Sequence, residues 1–233
     1  MRHNLLYIYS LLFLGILLSS LSCKSEKTEL IGINTTSIYR MLNGKDSLGY
    51  SSIKVKENNN KFILTEITEI PSFKEEITVF FKEDLVADSV RVTGDYSTYK
   101  IDCFSAFTKE GSIKGYAGFP VLPNKEMVKI DTLINDKKII ERTLSLFLYT
   151  LNLDKTVNSD TAYQYNATDG KISKVQAVWI DGYENVTVPA GDFKCRKLEV
   201  IGGVAEQVFY ISEENNKIIK IEIKNQPWVY ELI

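Results

Sequence analysis

Ser51-Ser52-Ile53-Lys54 places a hydroxyl three residues ahead of an amine, the spacing with which a lysine can activate a serine nucleophile. Such a pair works from the start of a helix. Here the residues alternate like a strand, and no Lys-Thr-Gly segment follows to complete a site. Glu75-Glu76 and Glu213-Glu214 supply neighbouring carboxylates. Glycosidase acids face each other across a cleft from distant segments, so adjacent glutamates read as solvated turns. The stretch from Gly111 to Gly118 is glycine-rich but lacks the Gly-Lys-Ser/Thr ending that cradles phosphate. It reads as a sharp sheet bend or a rim loop. The only histidine is His3, inside a segment expected to be removed. Without imidazole, Ser-His-Asp hydrolysis, Cys-His proteolysis and His-type metal sites are excluded. No catalytic residue, metal ligand or cofactor is expected, and an enzyme using only Asp, Glu, Lys, Ser or Tyr is the remaining catalytic alternative.

The cysteines carry an address. Arg2 and His3 precede an uncharged run from Asn4 to Ser22, most apolar from Leu5 to Leu18, and Ser19-Ser20-Leu21-Ser22-Cys23 is followed at once by Lys24-Ser25-Glu26-Lys27. A basic start, a short apolar stretch and a small residue before the cut make a secretory signal. Cys23 directly after that small residue resembles the lipobox of bacterial lipoproteins, with Ser20 where that family usually has Leu. The resemblance implies a signal peptide over residues 1–22, diacylation of the Cys23 thiol and acylation of the new amine. It implies a lipid-anchored protein of the cell envelope, at the outer membrane on its periplasmic face or its surface. Several acyl chains hold a protein essentially permanently, where one would not. A single spanning helix over the same run is the alternative. Outside the cytoplasm Cys103 and Cys195 could close one disulfide, or they are two separate small core residues. Spacing does not decide between these.

The elements that must position any site are strands. The chain has 233 residues, 44% hydrophobic and 25% charged, with a formal charge of −2. That is a globular composition without the basic excess that nucleic acid requires. Ile53 and Val55 alternate with Lys54 and Lys56, Val128, Ile130, Thr132 and Ile134 line one face, and Ile219, Ile221 and Ile223 alternate with Lys220, Glu222 and Lys224. Such alternation predicts strands with one face on a core. Asn43-Gly44, Asn135-Asp136, Asp169-Gly170 and Asp181-Gly182 predict tight turns, and Asn58-Asn59-Asn60 and Asn215-Asn216 predict longer tips. Thr143 to Leu151 fits a helix through Leu144, Phe147, Leu148 and Leu151, and equally a buried strand through Leu144, Leu146 and Leu148. The expected organisation is a tether over 23–33 and one domain over 34–233. The expected fold is mostly β: a single strongly curved antiparallel sheet or half-barrel with at most one or two short helices.

The most specific local pattern is Val186-Thr187-Val188-Pro189-Ala190-Gly191-Asp192-Phe193-Lys194-Cys195. Pro189 presets φ for a turn, Gly191 serves its exit, and Val186, Val188, Phe193 and Cys195 can face one core. This turn motif of Pro189, Ala190, Gly191 and Phe193 resembles the "vpaG-x-F" hairpin of the exported bacterial family catalogued as domain of unknown function 3108. Val208 to Ser212, Lys217 to Glu222 and Ser145 to Leu151 resemble its later strands and its upstream "Ser-Leu-x-x-x-Leu" segment; Tyr39 to Tyr50 matches more weakly. The resemblance implies an open, curled sheet similar in outline to periplasmic lipoprotein carriers, and no assigned activity.

Phe80, Phe81, Phe104, Phe107, Tyr116 and Phe119 concentrate in the middle third, and on a concave sheet they could line an apolar groove for lipid or peptide. Asp46-Ser47-Leu48, Asp88-Ser89-Val90, Asp131-Thr132-Leu133 and Asp160-Thr161-Ala162 each resemble a bacterial Asp-Ser/Thr-apolar O-glycosylation acceptor. The expected function is a non-enzymatic envelope lipoprotein that binds an apolar or extended ligand, lipid first. A module docking an envelope protein through an edge strand is the alternative.

Overall fold

The computed structural model describes residues 30–58, 61–109, 111–117, 128–133 and 139–233. The leader, Cys23 and Phe119 lie outside these residues, as do Ile134, Asn135-Asp136 and Asn59-Asn60.

The alternating stretches form strands as expected. Those in the first half are β1 (Thr36–Asn43), β2 (Asp46–Asn58), β3 (Lys61–Ile70), β4 (Phe73–Phe81), β5 (Ala87–Tyr96), β6 (Tyr99–Phe107), β7 (Ser112–Ala117) and β8 (Val128–Leu133). Each pairs antiparallel with the next. A three-residue β9 (Ile139–Glu141) leads into a short helix, α1 (142–149). The second half follows as β10 (Ser159–Asn166), β11 (Lys171–Val188), β12 (Gly191–Gly202), β13 (Gln207–Ser212), β14 (Ile218–Ile223) and β15 (Trp228–Leu232). These form a second antiparallel meander, with β9 added in parallel at its edge. The two meanders join where β1 pairs with β15, Tyr39 opposite Leu232 and Asn43 opposite Trp228. The result is one open sheet of mostly β structure, ordered β8 to β1, then β15 to β9.

The sheet is strongly curled. β6 and β10 stand eleven places apart in the strand order. Laid flat they would be roughly 50 Å apart at ordinary strand spacing. Instead Ser105 and Tyr165 share a hydrogen bond of 2.6 Å between their hydroxyls, and the side chain of Ile130 on β8 faces Gly170 in the β10–β11 turn. The concave face carries the core: Leu64, Val79, Phe81, Val90, Ile113, Leu198, Phe209 and Ile219 are fully buried. Gly115 permits β7 to approach β6, since a Cβ there would collide with the Phe104 carbonyl oxygen.

The stretch with two periodicities is helical. α1 begins as an α turn over Arg142–Leu144 and widens into a π turn over Ser145–Tyr149. Leu144, Phe147 and Leu148 are buried, with the Phe147 and Tyr39 rings 6.2 Å apart. Burial on a concave sheet settles what nine residues of pattern leave open, because a helix satisfies its own backbone where a strand would need a ladder partner. Residues 30–33, expected in the tether, pack here too. Leu30 and Ile33 join the core, and the Asn152 side chain accepts from the Ile31 amide (2.7 Å) and donates to its carbonyl (3.1 Å).

Asp181-Gly182 does not turn the chain. It lies inside β11 at a register shift between Ile180 and Glu184, with Gly182 at φ +89°. The positive φ that marks a hairpin in sequence here serves a bulge, a second use of the same backbone freedom. The Pro189-Ala190 tip does turn, with Val186 opposite Phe193 and Val188 opposite Gly191. The Ala190 amide donates to the Leu232 carbonyl, tying the tip to the end of β15.

Candidate functional site

The apolar concave face turns polar toward one end of the sheet. On β3 the inward series Phe62, Leu64 continues as Glu66 and Thr68, and on β4 Phe81, Val79 and Ile77 continue as Glu75 and Phe73. Because side chains alternate strictly along a strand, these carboxylates point the same way as the core residues before them. β15 brings Trp228 and Tyr230 to the same end, opposite Asn43 and Met41. α1 brings Arg142, the residue after its cap.

Two cavities meet at Arg142, Trp228 and Tyr230, which line both. One, of about 260 Å³, is lined by Glu66, Glu75, Thr68, Tyr96 and Tyr99 among others. We call it the acid lobe. The other, of about 340 Å³, is lined by Gln164, Gln207, Gln226, Leu146 and Ile223 among others. It is the amide lobe.

The acids are held by hydroxyls. Tyr96 donates to Glu75 Oε2 at 2.7 Å and stacks between Phe73 and Tyr99, ring centres 4.9 and 4.7 Å away. Ser51 donates to Glu66 Oε1 at 3.2 Å. Loss of water pushes the Glu66 carboxyl above the usual carboxylate range, against the pull of Arg142. Glu141, only 2% exposed, caps α1: its Oε2 accepts from the Thr143 and Leu144 amides at 2.7 and 3.1 Å. Burial nevertheless raises its carboxyl to about 7. The Tyr230 phenol is pushed up by burial and by Glu66, so it stays a hydrogen-bond donor. Arg142 is half-buried and, among the described residues, makes no hydrogen bond or close ion pair.

Among the described residues, the groove expected from the middle-third aromatics does not assemble. Phe80 and Phe81 are adjacent on β4 and therefore face opposite ways: Phe80 is 39% exposed and Phe81 is fully buried, stacked on Phe62. Phe104 and Tyr116 pair with each other across β6 and β7. Phe107 packs edge-on against Tyr165 and lines a separate cavity near Leu85 and Ile140. Counting aromatics without assigning strand parity put residues of both faces into one groove.

Cys103 and Cys195 are not joined. They lie on β6 and β12, nine places apart in the sheet, each a fully buried thiol. Burial pushes the Cys195 thiol up to about 11, which disfavours its reactive thiolate. Ser51 and Lys54 part as strand parity requires, Ser51 buried and Lys54 exposed. Glu213 and Glu214 form the solvated turn expected of them, with Lys194 2.8 Å from Glu213. Glu75-Glu76 does not, since only Glu76 is exposed. Of the acceptor-like triplets, Ser47 and Thr161 are exposed, while Ser89 and Thr132 are half-buried.

Sequence reasoning therefore missed Glu66, read Glu75 as part of a solvated turn, and missed Glu141 and Arg142. The signal was present for the first two: carboxylates at even spacing from Leu64 and Ile77 on an apolar face. Comparison with known proteins finds no matching family model, no matching curated protein and no matching solved structure.

Proposed function

We propose that this chain is a membrane-tethered binding protein of the bacterial envelope that takes an apolar or amphiphilic ligand, lipid first, at the polar end of its curled sheet. The observation that carries the reading is the pair of cavities meeting at Trp228 and Tyr230, walled further by Phe73, Tyr96, Tyr99, Leu146 and Ile223. Apolar walls with a few placed polar groups are what small-ligand sites use. α1 packs on the concave face beside the two cavities, burying Leu144, Phe147 and Leu148, and Arg142 at its start lines both lobes. The leader, Cys23 and the hairpin resemblance supply the envelope address.

Native mass spectrometry of the chain purified gently from bacteria tests it. A co-purifying mass that organic solvent extracts, and that Trp228→Ala removes, supports the reading. A clean apo mass after exposure to membrane lipids overturns it.

A second reading rests on Glu66 and Glu75 lining one lobe. A raised carboxyl beside a hydrogen-bonded one is the arrangement of a histidine-independent acid–base enzyme. Conversion of a glycoside or ester that both Glu66→Gln and Glu75→Gln abolish would establish it.

A further inference from the structure

Arg142 opens toward both lobes, but the lobes differ in charge. Glu66 and Glu75 line the acid lobe, whereas among the described residues no carboxylate lines the amide lobe. A guanidinium presents up to five donors in a flat fork suited to two oxygens of a phosphate or carboxylate. Here, among the described residues, that fork makes no hydrogen bond or close ion pair, although the charges of Glu66 and Glu141 act on it. A second observation points into the same space. Gln207, at the start of β13, is 8% exposed and lines the amide lobe, and its Oε1 has no hydrogen-bond partner. A buried carbonyl oxygen in that state calls for a donor. Its neighbour Gln164 is already engaged, accepting from the Val204 amide at 3.4 Å.

The lobe thus offers a planar cation, an acceptor needing a donor, and an aromatic and aliphatic wall from Trp228, Tyr230 and Ile223. Its volume of about 340 Å³ suits a head group rather than a whole two-chain lipid. We propose that the amide lobe binds the hydroxyl-bearing anionic head of an amphiphile, a phosphate on the Arg142 guanidinium and a hydroxyl donating to Gln207 Oε1. The tail rests on the ligand-binding reading above, while the head site stands on Arg142 and Gln207 alone.

The full chain in an uncharged detergent is titrated by native mass spectrometry with phosphatidylglycerol, with diacylglycerol of the same acyl chains, and with free glycerol 3-phosphate. Phosphatidylglycerol is expected to bind at least tenfold more tightly than diacylglycerol. Arg142→Met is expected to erase that preference. Gln207→Leu removes the unpartnered oxygen at similar volume, so the fold is retained by circular dichroism while the preference falls several-fold. Equal binding of the two lipids, or a preference that survives both substitutions, overturns the head site and leaves the lipid reading standing. Binding of glycerol 3-phosphate without either lipid supports the head site and overturns the lipid reading. Binding of none of the three overturns both.

Discussion

Glu141 accepts two backbone amides at the start of α1 while almost wholly removed from water, and the loss of water dominates its titration. Its carboxyl rises from an ordinary 4.5 to about 7 in the folded protein. A folded state that holds the proton more tightly than the unfolded chain is stabilised at low pH. That contribution is complete below about 4.5 and is lost as pH climbs through 7, amounting to roughly 3 kcal/mol. Urea unfolding at pH 5 and pH 8 should show this fall in the wild type, and Glu141→Gln, which keeps one capping acceptor, should flatten most of it. An unchanged slope in the variant would move the effect to Glu66, which shifts in the same direction. Thr143 gives a prediction of opposite sign. Its hydroxyl is buried without a partner, so Thr143→Val should leave stability unchanged or raise it by up to about 1 kcal/mol, read from the urea midpoint. None of these residues stands out in sequence, because a charge at an inward position looks like any solvated charge until the strand's parity is counted from its apolar neighbours.

Strands and turns were legible where a local rule governs them. β2 and β14 follow from alternation, and Pro189-Ala190 from the φ that proline imposes. α1 was not, since its leucines satisfy periods of two and of three to four alike. Its identity depends on the surface that buries it. Leu144 is fully buried at the helix start, and Leu144→Ala should cost about 2–5 kcal/mol, measured by denaturant unfolding. The β11 bulge was misread as a turn because Asp-Gly reports backbone freedom and not what the chain does with it. Gly182 sits at φ +89° with open space around it, so Gly182→Ala tests backbone strain alone and should cost about 1–2 kcal/mol.

For the molecule as a whole, one curved sheet was legible from strand spacing, but not its order, because the β1–β15 contact links residues near opposite ends of the sequence with no local signal between them. Among the described residues that seam is the only ladder between the two meanders. Deleting residues 228–233 should therefore abolish the cooperative thermal transition of the entire domain, not of the second meander alone, as followed by circular dichroism. The seam also sets a clock. A chain made from its N-terminus holds β1 paired with β2 alone until Trp228–Leu232 emerge, and contacts this distant in sequence form slowly. Throughout that interval β1 offers a bare backbone edge to any passing strand, and β14 adds a second once Ile218–Ile223 is made. The nascent protein is thus at its most adhesive in the moments before β15 arrives, and a holdase that masks extended segments would find its client there.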